Sequence, residues 1–188
     1  MTLFMNERGA RRIFVVHVED VPGVLNRVAS LFRRRGFNIE SLTVGRTHEP
    51  GVSRMTIVVH GDDRMGRLVA ANLYKLVDVV RVDDITHEAA VIRGLTLVRV
   101  RAAAAQRDQI TQVCEAHGAR VADVAHTTMV VEATGDEQAV GALVALLEPF
   151  GIEELAQTGT IVMTRGSAAA SIKRDGGRVA VDLGHPIA

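Results

Sequence analysis

Aromatic residues are scarce in this chain: 3% of 188 residues, with no Trp, one Tyr and five Phe. A protein that holds single strands by stacking bases needs more flat side chains than that. Cysteine is nearly missing as well. Cys114 stands alone, which excludes an internal disulfide and a cysteine-rich zinc site and suits a reducing compartment. Neither sign of charge prevails, since 22 Lys and Arg face 22 Asp and Glu. Bulk attraction to nucleic acid or anionic lipid is therefore not expected. No apolar run approaches the ~20 residues of a membrane span, and the N-terminal residues lack the apolar core of a signal peptide. The expectation is a cytoplasmic protein with neither nucleic acid nor membrane as partner. Core material is plentiful, at 47% hydrophobic residues, enough for one domain or two small ones.

Catalytic signatures are missing too. There is no GxSxG elbow, no GxxxxGK[ST] phosphate loop and no HExxH zinc helix. Cys114 and His117 could in principle form a nucleophilic pair, but a thiol on an apolar helix stripe is the ordinary core cysteine. His17, His48 and His60 lie on or near strands, as solvated edge residues or, less simply, a metal cluster. Arg27, Arg33, Arg34 and Arg35 read as a solvated basic face near a helix end, where the dipole favours cations. A phosphate patch is the alternative. A binding or regulatory protein fits these absences better than an enzyme.

What is present is a repeated pattern. Residues 13–18 form an apolar, β-branched strand. Val24, Leu25, Val28, Leu31 and Phe32 then carry helical spacing, with Asp20 as expected N-cap, Pro22 in the first turn and Gly36 as C-cap. Extended runs follow over 37–45 and 52–60, joined by a Pro50-Gly51 turn. Asp62 or Asp63 caps a second helix with a stripe of Met65, Leu68, Val69, Leu73 and Leu76, and residues 79–85 give a fourth strand. The βαββαβ order then recurs: strand 95–100, a helix with Ile110, Val113 and Cys114 ended by Gly118, strands 120–125 and 128–133, a helix after Gly135-Asp136 stopped by Pro149, and extended chain over 152–164. First strand and first-helix stop repeat at an offset of 82 residues (13 to 95, 36 to 118). The expected fold class is α+β, two ferredoxin-like βαββαβ modules in tandem, each a four-stranded antiparallel sheet with both helices on one face. The expected domains are 11–88 and 92–165. Residues 166–188 read as a mobile tail, or as a source of a short added strand at 179–183.

The segment from Glu19 to Val28 places a Pro22-Gly23 turn between a buried strand and a helix. Free amides at such a helix start carry partial positive charge and suit a carboxylate. Gly23 lets a ligand approach without a Cβ in the way. Asp20 can pair with an ammonium group, and Asn38 offers a donor and an acceptor. Two readings fit these groups: a capped helix beside a turn, or a seat for the charged ends of a free α-amino acid.

The wording of the segment, D-x-P-G-x-L, resembles the ACT domain, a βαββαβ ligand-sensing module. The blocks over residues 35–44, 53–57 and 75–82 come in the order and spacing of the small regulatory subunit of acetolactate synthase (acetohydroxyacid synthase). That resemblance covers residues 11–101 strongly and continues to about Arg165. It implies a first module that is an ACT domain and a chain with no catalysis and no cofactor of its own. It implies a partner, the large catalytic subunit, which uses thiamine diphosphate and Mg to join two pyruvates, or pyruvate and 2-oxobutyrate, with loss of CO2. The small subunit would activate that partner and confer feedback by valine or another branched-chain amino acid. The resemblance also implies a homodimer of ACT domains with the effector at the interface, held by the glycine loop of one chain and the start of the second strand of the other, on Asp20, Gly23, Val24, Leu25, Asn26, Asn38 and Ile39. The family often carries Asn where this chain has Asp20. Exposed strands at Ser41, Leu42, Thr43, Val44 and at Ser53, Arg54, Met55, Thr56 are expected to reach the catalytic subunit. A stand-alone ACT sensor of another enzyme or of transcription is the alternative.

Overall fold

The computed structural model describes residues 10–166, 171–175 and 178–182. These fall into two compact units: the residues up to Val91 together with those from Val162 onward, and Ile92–Ile161. In the first unit the order is β1 (Arg11–Glu19), α1 (Val24–Arg35), β2 (Ile39–Arg46), β3 (Val52–His60), α2 (Asp63–Leu73) and β4 (Val79–Asp84). The sheet runs β2-β3-β1-β4, antiparallel throughout. Strand β1 lies inside because it is apolar on both faces. Phe14, Val16 and Val18 point to the helices, where Val28, Leu31 and Phe32 of α1 and Val69 and Leu73 of α2 meet them. Each such side chain contributes about 1.5–3 kcal/mol on burial.

Helix ends show where local chemistry decides. Asp62 caps α2, accepting from the Met65 amide at 2.7 Å. Gly36 ends α1 with φ +68°, and the Phe37 amide reaches back to the Phe32 carbonyl at 3.0 Å. The start of α1 departs from expectation. Its N-cap is Gly23, not Asp20, and no side chain caps it; Pro22 stays outside the helix. On α2, Leu68 faces solvent instead of joining the stripe, and Leu76 lies beyond the helix end. Asn72 is buried in its place, donating to the Leu68 carbonyl at 2.6 Å.

A second departure concerns the sheet face away from the helices. Ile13, Val15, Val52, Thr56 and Val58 are all buried there, although both helices lie on the opposite face. The chain returns to this face at Val162, itself buried, whose carbonyl accepts from Arg54. The Arg165 amide ties the return to the Ala89 carbonyl at 2.7 Å.

The other unit repeats the plan with β5 (Ala90–Arg101), α3 (Arg107–Ala116), β6 (Arg120–Val124), β7 (Thr128–Gly135), α4 (Glu137–Leu147) and β8 (Ile152–Gln157). Its strand order, β6-β7-β5-β8, is that of the first sheet. Val98, Val100, Ile110, Cys114, Val131, Leu143 and Leu147 form its core. Asp136 caps α4 through the Ala139 amide at 2.9 Å. Strand β9 (Ile161–Thr164) follows. Strands β10 (Ser171–Asp175) and β11 (Arg178–Asp182) then pair with each other as an antiparallel hairpin. The rest of the stretch read as a mobile tail lies outside the described residues.

Candidate functional site

Strand β1 ends in a loop pinned from two sides. The Glu19 amide donates to the Asp78 carbonyl and the Asp20 amide to the Gly51 carbonyl, both at 2.9 Å. The chain then turns through Pro22 and Gly23. Gly23 has φ +85°, a conformation that costs most L-residues about 1–2 kcal/mol. Val24 and Arg27 amides find the Val21 and Gly23 carbonyls at 3.4 and 3.0 Å. Among the described residues the amides of Gly23, Leu25 and Asn26 find no acceptor. Val21 and Leu25 expose apolar side chains beside them. Val24 turns inward, so its side chain belongs to the core.

The remaining expected groups do not gather here. Asp20 is half-exposed and lies 3.4 Å from Arg46 Nε. Ile39 pairs with Val59 at one end of the sheet, whereas Arg46 pairs with Ser53 at the other, beside the Gly23 loop. Seven residues of strand separate the ends, about 23 Å. Asn38 and Ile39 therefore lie far from Gly23 within one chain, Asn38 exposed and Ile39 packed on the core.

The strands expected to meet a partner are also only partly available. Met55 lies fully in the core, and Ser53 and Thr56 are buried; those three are corrected, because β3 is an inner strand covered on both faces. Leu42 packs on the core. Arg54 is engaged by the Thr56 hydroxyl at 3.1 Å and by Val162. Thr43 shares the face of Thr56, and Val44 is exposed at the edge.

The histidines do not converge. His17 pairs with Arg54, and His60 lies at the far end of the same ladder opposite Arg11, in contact with Glu40. His48 is exposed beside Glu49. Burial, followed by the charge of Arg54, lowers the His17 imidazole to about 4; Asp83 opposes this and Arg81 adds to it. Unfolded, the ring would protonate near 6.5. Protonation therefore favours the unfolded chain, and stability is expected to fall as pH drops from about 6.5 towards 4. Urea melts at pH 7 and pH 5 should show a smaller loss for His17→Gln than for the wild type; equal losses would contradict this. Cys114 is buried, which raises its thiol pKa. His117 instead lines a shallow groove with Gln112, Leu146 and Phe150, so the two do not form a nucleophilic pair.

Comparison with known proteins bears on both units. Residues 14–81 match the family model described as the AHAS small subunit-like ACT domain, and residues 93–166 that described as the small subunit of acetolactate synthase. A protein of Archaeoglobus fulgidus named probable acetolactate synthase small subunit is 48% identical over 157 residues, 84% of this chain and 98% of that one. The acetolactate synthase small subunit of Mycolicibacterium smegmatis is 45% identical over 151 residues, 80% of this chain and 89% of its own. The crystal structure of the acetolactate synthase small subunit from Thermotoga maritima matches with a TM-score of 0.77 at 37% identity, covering 84% of this chain and 98% of that chain.

Proposed function

Since this chain belongs to the acetolactate synthase small-subunit family, we propose that it is the non-catalytic regulator of a cytoplasmic catalytic subunit. That subunit would carry thiamine diphosphate and Mg. This chain would raise its activity and make it sensitive to valine or another branched-chain amino acid. The observation that carries the effector half is the Gly23 loop, with a left-handed glycine, no side-chain cap and unpaired amides. Such a helix start attracts a carboxylate.

The separation of the two half-sites supports a homodimer. Among the described residues β2 pairs only with β3 and so stands at one edge of its sheet. Antiparallel pairing of two β2 edges about a twofold axis would bring Ile39 of one copy to the Arg46 end of the other. The Gly23 loop of one chain would then face Asn38 of its partner. The ammonium group would take the place of Arg46 at Asp20, and a branched side chain would lie against Leu25 and Ile39. One methylene changes the affinity by only about 1–3 kcal/mol, so leucine or isoleucine would act as well. Feedback requires about 1–3 kcal/mol of coupling, which charge-assisted contacts made in one dimer geometry can supply. Ser41, Thr43 and Val44 with the 47–51 turn would carry that change to the catalytic subunit.

The deciding experiment mixes the chain with a thiamine-dependent acetolactate-forming subunit and follows the rate with and without valine. Stimulation that valine reverses is expected. No stimulation, with another protein co-purifying, would favour a stand-alone sensor. A monomer in sedimentation at micromolar concentration would remove the cross-chain site.

A further inference from the structure

The basic set on α1 divides in two. Arg33, Arg34 and Arg35 occupy the last turn, where cations suit the dipole. Arg27 instead lies in the first turn, where the dipole disfavours it. It is fixed there: Nε donates to Asp78 Oδ2 at 2.5 Å, and the Asp78 side chain is 11% exposed. Asp78 is itself anchored, because its carbonyl receives the Glu19 amide. The guanidinium lies over Gly23, with Nη1 3.2 Å from where a Cβ would stand. Among the described residues Nη1 and Nη2 donate to no acceptor. One edge of the fork is thus locked by a carboxylate, and the other is unpaired beside the unpaired amides.

We propose that Arg27 receives the carboxylate of the effector, with Asp78 as its positioning partner, so that the site selects free amino acids over their amides. This rests on the effector site proposed above and names the group that determines its ligand class. A guanidinium matches a carboxylate with two parallel bonds, which an ammonium cannot do. Asp78 fixes the plane of that fork before ligand arrives. Gly23 leaves room for the carboxylate to reach amides and guanidinium together.

The test is calorimetry of the full chain with L-valine and with L-valinamide, which lacks the negative charge. The wild type should prefer valine by about tenfold or more. Arg27→Gln should bind the two within about twofold of each other, and Asp78→Asn should fall between. Thermal melts check that each variant is folded; should Arg27→Gln fail to fold, Asp78→Asn decides alone. A preference that persists unchanged in the folded variants overturns the role of Arg27 and leaves the effector site standing. A wild type that binds neither valine, leucine nor isoleucine overturns the effector site itself, and this inference with it.

Discussion

Gly23→Asp is expected to abolish feedback by branched-chain amino acids while the variant still stimulates the catalytic subunit. Three effects act together. The φ of +85° disfavours a side chain, though less for Asp than for most residues. A Cβ would stand 3.2 Å from Arg27 Nη1, so the guanidinium must give way. The new carboxylate would pair with that guanidinium and with the helix-start amides, occupying the place proposed for the effector. The half-inhibitory concentration should therefore rise by about 100-fold or more, the equivalent of roughly 2.7 kcal/mol. Gly23→Asn separates the causes, because Asn adds the same Cβ and tolerates the left-handed region about as well as Asp but carries no charge. It should raise the concentration far less. Normal inhibition of the Asp variant would remove Gly23 from the effector site, and equal losses in both variants would assign the effect to the added side chain and not to its charge.

The order of elements was legible because periodicity and caps agree. The strand at 52–60 and the caps at Gly36, Asp62 and Asp136 stand where the sequence pattern puts them. Local signals failed where a long-range contact prevailed. Asp20 has the chemistry of an N-cap, yet it faces Arg46, and the left-handed turn at Gly23 starts the helix without it. Met55 sits in a stretch that reads as exposed, and only the pairing of β3 with both β1 and β2 shows that this strand is internal. Arg27 was read with the arginines at the helix end. Nothing in its neighbours along the chain reveals Asp78, 51 residues away. The candidate site was legible as a loop and, through the resemblance, as shared between two chains; the distance of about 23 Å between its two parts within one chain required the register.

Arg12→Ala should be the most destabilising of these changes, because Arg12 is an arginine in the interior. Its side chain is 5% exposed, on the helix side of β1, against Asp63 at the start of α2 and Asp84 at the end of β4, the latter at 3.2 Å. It joins three elements through charge. Removing one partner of a buried pair costs about 3–5 kcal/mol, since the remaining charge is left uncompensated. Asp63 is largely exposed and can rehydrate, but Asp84 is 31% exposed, so about 3 kcal/mol is the reasonable figure. That corresponds to a drop in Tm of roughly 10 °C. Gly66 supplies a control. A Cβ there would stand 2.6 Å from Arg12 Nη1 and 3.1 Å from its Cδ. Gly66→Ala should therefore destabilise the wild type, although Ala favours a helix interior by about 1 kcal/mol. With Arg12 already shortened the collision is gone, and the same change should become neutral or stabilising. Thermal melts of both single variants and the double variant form a cycle, in which a clearly non-additive result is expected. Strict additivity, or a Gly66→Ala variant more stable than the wild type, would mean that the arginine does not run across this face of α2.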